Sequence, residues 1–177
     1  MRMTPNNTYN NRQQGNRGSY GQNARQNAGR GYDAGQSTAE PYQDADPMVL
    51  PDEFVDLAMR TMERISVPDE RDPQRRRFQI TTSKIRNLLS LIMEIYNTEH
   101  RRVEKTLREE SLLQLQMARV RMVYEAGRDD SVKQFLKESN LISYLKGIGD
   151  DRVRLIRFTQ YLEALVAYHR FMGGREN

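Results

Sequence analysis

The chain has 177 residues, enough for one domain with an extension, and its 28 Lys and Arg outnumber 24 Asp and Glu for a net charge of +4. The absence of cysteine excludes disulfides, thiolate metal sites and thiol nucleophiles. No apolar run approaches the roughly 20 residues of a membrane span and no hydrophobic signal core opens the sequence, so no membrane partner and a cytoplasmic location are expected; the small basic excess leans toward an anionic partner.

Residues 1–47 are rich in Asn, Gln, Gly, Ser and Arg and contain no Leu, Ile, Val or Phe. Such a segment cannot bury enough apolar area to offset chain entropy, and a disordered tail is expected. Arg2, Arg12, Arg17, Arg25 and Arg30 all precede the first acid, Asp33. Arg-Gly and Tyr-Gly pairs such as "NRGSYG" suit loose contact with RNA by charge and stacking, and suit a solubilising tail equally.

Residues 48–174 read as one helical domain. "PDEFVDLAMRTMERI" starts a first helix with Pro51 in the first turn and Asp52 and Glu53 beside it; Phe54, Leu57, Ala58 and Ile65 share a face. Two prolines in "SVPDERDPQ" end it. A second helix opens at about Thr82, with Thr81 or Thr82 as N-cap and a buried stripe of Ile85, Leu88, Leu89, Ile92, Ile95 and Tyr96. Thr106 and Glu109 fit a capping box, so a break is expected near Thr106, with one long helix as the alternative. The third helix, about 107–126, is apolar around most of its circumference and is expected at the centre of a bundle, stopped by Gly127. Ser131 and Gln134 fit a capping box for a fourth helix that stops at Gly147. The fifth, about 151–172, carries two apolar faces: Leu155, Phe158, Leu162, Leu165, Val166 and His169 on one, and Val153, Ile156, Ala164, Ala167 and Phe171 on the other. The second face needs another helix or a second copy of the chain. The expected fold is all-α: a compact five-helix bundle behind a disordered tail.

No phosphate-cradling glycine loop, G-x-S-x-G elbow or H-E-x-x-H motif occurs. His169 sits on an apolar face, where a hydrogen-bonded core histidine outweighs a catalytic one. Acid pairs such as Glu109–Glu110 and Asp150–Asp151 fall at helix starts, where capping and the dipole account for them. No catalytic residue, metal ligand or cofactor is expected.

The cations are less easily explained. "RRRFQITTSKIR" crowds Arg75, Arg76, Arg77, Lys84 and Arg86 at a helix start, which already carries positive potential. There they cost the free helix stability but deepen an anion site. Lys84 and Arg86 lie about 160° apart, one at each border of the apolar stripe. Arg121, Tyr124 and Arg128, spaced i, i+3, i+7, line one stripe with an aromatic between two guanidiniums, which suits a nucleic-acid backbone with a stacked base; solvated charge and core packing of Tyr124 are the alternatives. Arg119 lies inside the apolar arc, so it must pair with a buried carboxylate or reach out to an anion.

"ITTSKIRNLLSLI", "ARVRMVYEAGR", "VKQFLKESNLISYLKGIG" and "RFTQYLEALVAYHRFMGG" resemble, in order and spacing, the small helical subunit of the type III-A (Csm) CRISPR effector complex. The likeness runs from about residue 52 to 172. It implies a non-catalytic α-helical subunit whose copies stack beside the guide-bearing backbone and line the groove for guide and target RNA, with contacts to phosphate and sugar rather than to base edges. Implied partners are therefore RNA, the other subunits and further copies. By residue, the resemblance puts the basic groove on Lys84, Arg86, Arg119, Arg121 and Arg128.

Overall fold

The structure, a computed structural model, describes residues 45–72 and 76–177. Its centre is the helix α6 (Arg152–Phe171), which packs against α1 (Phe54–Ile65), α2 (Thr82–Glu99) and the short α5 (Leu141–Gly147). Leu155, Phe158, Tyr161, Leu162 and Leu165 of α6 are fully buried, together with Met62 of α1 and Ile85, Ile92 and Ile95 of α2. Burying each such side chain contributes about 1.5–3 kcal/mol. Helix α3 (Glu109–Arg128) packs on α2, α5 and α4 (Asp130–Glu138).

The all-α class holds, but the described residues form six helices rather than five, with one two-residue antiparallel pairing, β1 (Val67–Pro68) on β2 (Arg76–Arg77). The expected fourth helix is cut in two at Asn140, whose φ of 51° is left-handed. Asparagine tolerates that conformation better than most residues. The freed groups are satisfied locally: the Ser139 hydroxyl donates to the Phe135 carbonyl at 2.5 Å, and the Tyr161 hydroxyl donates to the Ser139 carbonyl at 3.1 Å.

Helix α3 is not central. Only Ser111, Leu115, Ala118 and Met122 are buried, whereas Leu113 is 65% exposed, Val120 55% and Tyr124 61%. Helices cover α3 on one side, and among the described residues no further element covers its outer face. The central position belongs to α6, whose first apolar face is buried as expected except for the half-buried Val166, while Val153, Ala167 and Phe171 on the second stand exposed.

Helices α2 and α3 are separate, and two expected capping boxes give way to other acids. At α3, the Glu99 carboxylate accepts from the Arg108 N–H at 3.4 Å and the Ser111 hydroxyl at 2.6 Å. Thr106 instead pairs with Asp151, and flanking main-chain bonds from Leu107 to Asp150 (2.8 Å) and from Arg152 to Lys105 (2.9 Å) pin this loop to the start of α6. At α4, the N-cap is Asp129, which accepts from the N–H groups of Ser131 and Val132. Of the two glycine stops, Gly127 is overturned, since it lies inside α3, whereas Gly147 ends α5 as expected, at a point where a Cβ would meet the Met48 carbonyl oxygen at 1.7 Å. Residues 45–50 thus lie along α5, with the Met48 N–H bonded to the Ser143 carbonyl at 2.9 Å and Leu50 buried. The rest of the expected tail, residues 1–44, lies outside the described residues.

Candidate nucleic-acid interface

Antiparallel packing gathers the start of α2, the end of α3, the start of α4, the end of α6, the β1–β2 pairing and the segment 173–177 at one end of the bundle. The links are direct. Lys84 Nζ reaches across from α2 to the Asp129 carboxylate and to Ser131 Oγ at 3.2 Å. Thr82 and Ser83 donate their N–H groups to the carbonyls of Arg175 and Glu176 at 2.8 and 3.2 Å. The open N–H groups of a helix start are therefore met here by the chain's own carbonyls, and the Ser83 hydroxyl adds a 2.6 Å bond to Glu176.

That arrangement explains how α2 tolerates its cations. Arg86 pairs with the Glu176 carboxylate, which also lies 3.3 Å from Arg170 of α6. Lys84 and the Ser131 hydroxyl, both donating to Asp129, hold that carboxyl well below the usual carboxylate range. Arg76 is structural as well. Its guanidinium donates to Ser66 Oγ at 2.8 Å and to the Glu63 carbonyl at 3.0 Å, closing the C-terminal turn of α1. Arg75 lies outside the described residues.

The five cations singled out in the sequence do not form one patch. Lys84, Arg86 and Arg128 share the basic end; Arg128 sits 5.4 Å over the Tyr124 ring and 3.9 Å from Glu125, and its side chain is 63% exposed. Arg121 is exposed two turns further down α3, on the side of Tyr124. Arg119 is half-buried on a different side, where it lines a small depression with Leu112, Gln116 and Lys146.

Arg77, part of the run before α2, and two arginines that the sequence did not single out, Arg170 and Arg175, complete the basic end; they line a cleft of about 370 Å³ with Asp69, Phe78, Gly173 and Gly174. The backbone N–H of Arg71 and the charges of Arg77 and Arg175 lower the Asp69 carboxyl. Arg170 and Arg175 could have been suspected from the "HRFMGGRE" stretch, since a cation after a helix end complements the dipole. Nothing in the sequence signals that this stretch folds back onto the start of α2.

His169 is buried at this end, with Nε2 3.0 Å from the Ile80 carbonyl and Nδ1 3.0 Å from Thr82 Oγ1, and with its ring 4.4 Å from that of Phe78. Burial lowers its pKa. It is a hydrogen-bonded core histidine that ties α6 to α2. No group of three or more His, Cys, Asp or Glu could hold a metal among the described residues, and no described helix is long and apolar enough to cross a membrane.

The described domain is a helical bundle with several arginines gathered at one end, and the relatives identify its family. The family described as Csm2 Type III-A matches residues 69–175. The chain is similar to the CRISPR system Cms protein Csm2 of Streptococcus thermophilus, 38% identical over 130 residues, or 72% of this chain and 98% of the relative. Proteins of the same name are 38% identical over 99 residues in Mycobacterium tuberculosis (56% of this chain, 80% of the relative) and 33% identical over 94 residues in Enterococcus italicus (52% and 67%). The chain belongs to the type III-A Csm2 family, the small subunit of the Csm complex, and is a structural subunit of that CRISPR assembly.

Proposed function

We propose that this subunit is non-catalytic and contacts RNA through its basic end. It lines the groove in which target RNA pairs with the guide, holding phosphate and sugar without reading sequence. Its setting is the cytoplasmic antiviral ribonucleoprotein of the type III-A system, and further copies stack upon it through the exposed second face of α6. Arg86 and Arg128 are the principal phosphate contacts. Lys84 contributes from its pair with Asp129, Arg121 extends the track along α3 beside Tyr124, and Arg119 marks a separate contact.

One observation carries the reading: exposed guanidiniums from α2, α3, α6, the β pairing and the segment 173–177 converge on one end. The test is binding of two unrelated single-stranded RNAs by anisotropy across a salt series. Arg86→Ala and Arg128→Ala should each weaken both RNAs alike, and each should reduce the slope of log affinity against log salt by roughly 0.7. Wild-type affinity in both variants would sink the reading.

A second reading, a helical adaptor without nucleic-acid contact, is favoured by the exposed Leu113, Met117, Val120 and Tyr124 stripe on α3 and by the acids already paired with Lys84 and Arg86. In that case RNA affinity is negligible at physiological salt in every form of the protein.

A further inference from the structure

The Glu176 carboxylate stands between two guanidiniums from different helices. One oxygen pairs with Arg86 of α2, and the other lies 3.3 Å from Arg170 of α6. Arg170 also donates to the Gly174 carbonyl at 3.2 Å, which fixes its direction. Two oxygens of one anion bridging two guanidiniums is the geometry a phosphodiester takes with the same groups. We infer that Arg86 and Arg170 form a two-guanidinium clamp for a single RNA phosphate, and that Glu176 is its built-in competitor. The inference rests on the RNA reading and adds a residue, Arg170, and a control element to it.

The competitor is weakly held. The side chains of Arg86, Arg170 and Glu176 are 53%, 49% and 46% exposed, so water and salt screen both pairs and the carboxylate leaves at small cost. The segment that carries it is anchored independently. The Arg175 and Glu176 carbonyls accept from Thr82 and Ser83, and the ring of His169 lies where any side chain at Gly174 would have to go. The Glu176 side chain can thus swing away while its backbone stays. A short or isolated anion meets an occupied clamp. A long RNA strand already held at Arg128 brings a phosphate at high local concentration and displaces the carboxylate. The effect is to disfavour stray anions relative to strands that span the basic end.

The test uses Glu176→Gln, which keeps size and the anchoring carbonyl while removing the charge. Single-stranded RNA should bind about threefold more tightly at low salt, and Arg170→Ala should weaken binding and reduce the salt slope by roughly 0.7. The gain from Glu176→Gln should vanish when Arg86 and Arg170 are both alanine. Glu163→Gln, an exposed acid elsewhere on α6, should change nothing. Circular dichroism melting establishes that each variant is folded. If Arg86→Ala weakens RNA binding but Glu176→Gln leaves it unchanged, or if Glu163→Gln gives the same gain, the clamp is refuted and the RNA reading stands. If Arg86→Ala and Arg128→Ala both bind as wild type, both inferences fall together.

Discussion

Lys84, in the first turn of α2, forms an ion pair with Asp129, the N-cap of α4, so one carboxylate both starts a helix and fastens two helices together. The two roles can be separated. Asp129→Asn keeps a capping oxygen and removes the charge, whereas Asp129→Ala removes both. The expected losses are about 0.5–1 kcal/mol for Asp129→Asn and for Lys84→Ala, as for a partly exposed pair. Asp129→Ala should lose about 1 kcal/mol more through the cap. Urea unfolding of the three variants measures these values. Because the folded Asp129 pKa is lowered, the contribution is fully present above the unfolded value of about 4 and fades as pH falls below it. Asp129→Asn should remove that part of the acid sensitivity.

A second acid works at the opposite end. Glu99 is fully buried, with Arg102 Nη1 at 2.7 Å and Ser111 Oγ at 2.6 Å. Burial alone would raise its pKa, but donation from Ser111, Arg102 and the Arg108 N–H outweighs it, and the carboxyl is lowered. Glu99→Ala strands the Ser111 hydroxyl and the Arg108 N–H at the start of α3, while Arg102 keeps the Thr106 carbonyl and Glu104; it should cost about 2–3 kcal/mol, with Ser111→Ala costing about 1 kcal/mol. Hydrogen exchange should show protection lost first in the 100–112 region. Uniform loss across all helices at this small a cost would contradict the assignment.

The sequence was most legible where one helix meets one core. The α2 stripe is buried at Ile85, Leu88, Ile92 and Ile95, with Leu89 and Tyr96 half-buried at its edge, and Thr81 caps the helix, accepting from the Lys84 N–H at 3.4 Å. It misled where two residues fit a local motif but a distant one did better. Thr106 and Ser131 are sound caps by spacing, yet Glu99 takes the Arg108 N–H and Asp129 those of Ser131 and Val132, and both anions also pair with cations. The apolar circumference of α3 misled in another way, since periodicity reports which faces avoid water and not whether the same chain covers them. The candidate site was half legible. Arg77, Lys84, Arg86 and Arg128 stood out in the sequence, but Arg170 and Arg175 join them only because residues 173–177 fold back on α2, a contact about 90 residues apart that no local pattern encodes.

His169 predicts a pH dependence at a milder pH. Burial lowers its folded pKa, assisted by the Arg170 charge and opposed by the Ile80 bond and the Glu176 charge. The unfolded chain then takes up a proton more readily than the folded one. Stability is therefore fully present above the unfolded value of about 6.5 and is lost as pH falls toward the folded value. The ring titration followed by NMR should give a midpoint below 6.5. His169→Phe should flatten the melting temperature between pH 7 and 5, at a cost of about 1–3 kcal/mol for the unpaired Ile80 carbonyl. A midpoint above 6.5 would show that the charged imidazolium is the favoured form.

Among the described residues, α6 and α3 each carry an exposed apolar face, and the two make different predictions. On α6, Val153, Ala167 and Phe171 are exposed, with Ile156 and Ala164 half-buried between them; the small residues allow another backbone to approach closely. On α3, Leu113, Met117, Val120 and Tyr124 form a shorter, bulkier stripe bordered by Arg121 and Arg128. If copies of the chain associate through α6, Ala167→Arg should abolish the oligomer in sedimentation velocity while leaving the melting temperature nearly unchanged, since an exposed helix position tolerates Arg with a change of about 0.5 kcal/mol or less. Val120→Lys should leave that oligomer intact, because α3 then faces another partner. The reverse pattern, dissociation with Val120→Lys and none with Ala167→Arg, would move self-association to α3. It would also bring the neighbouring copy against Arg121 and Arg128, so that RNA binding and assembly would compete for one face.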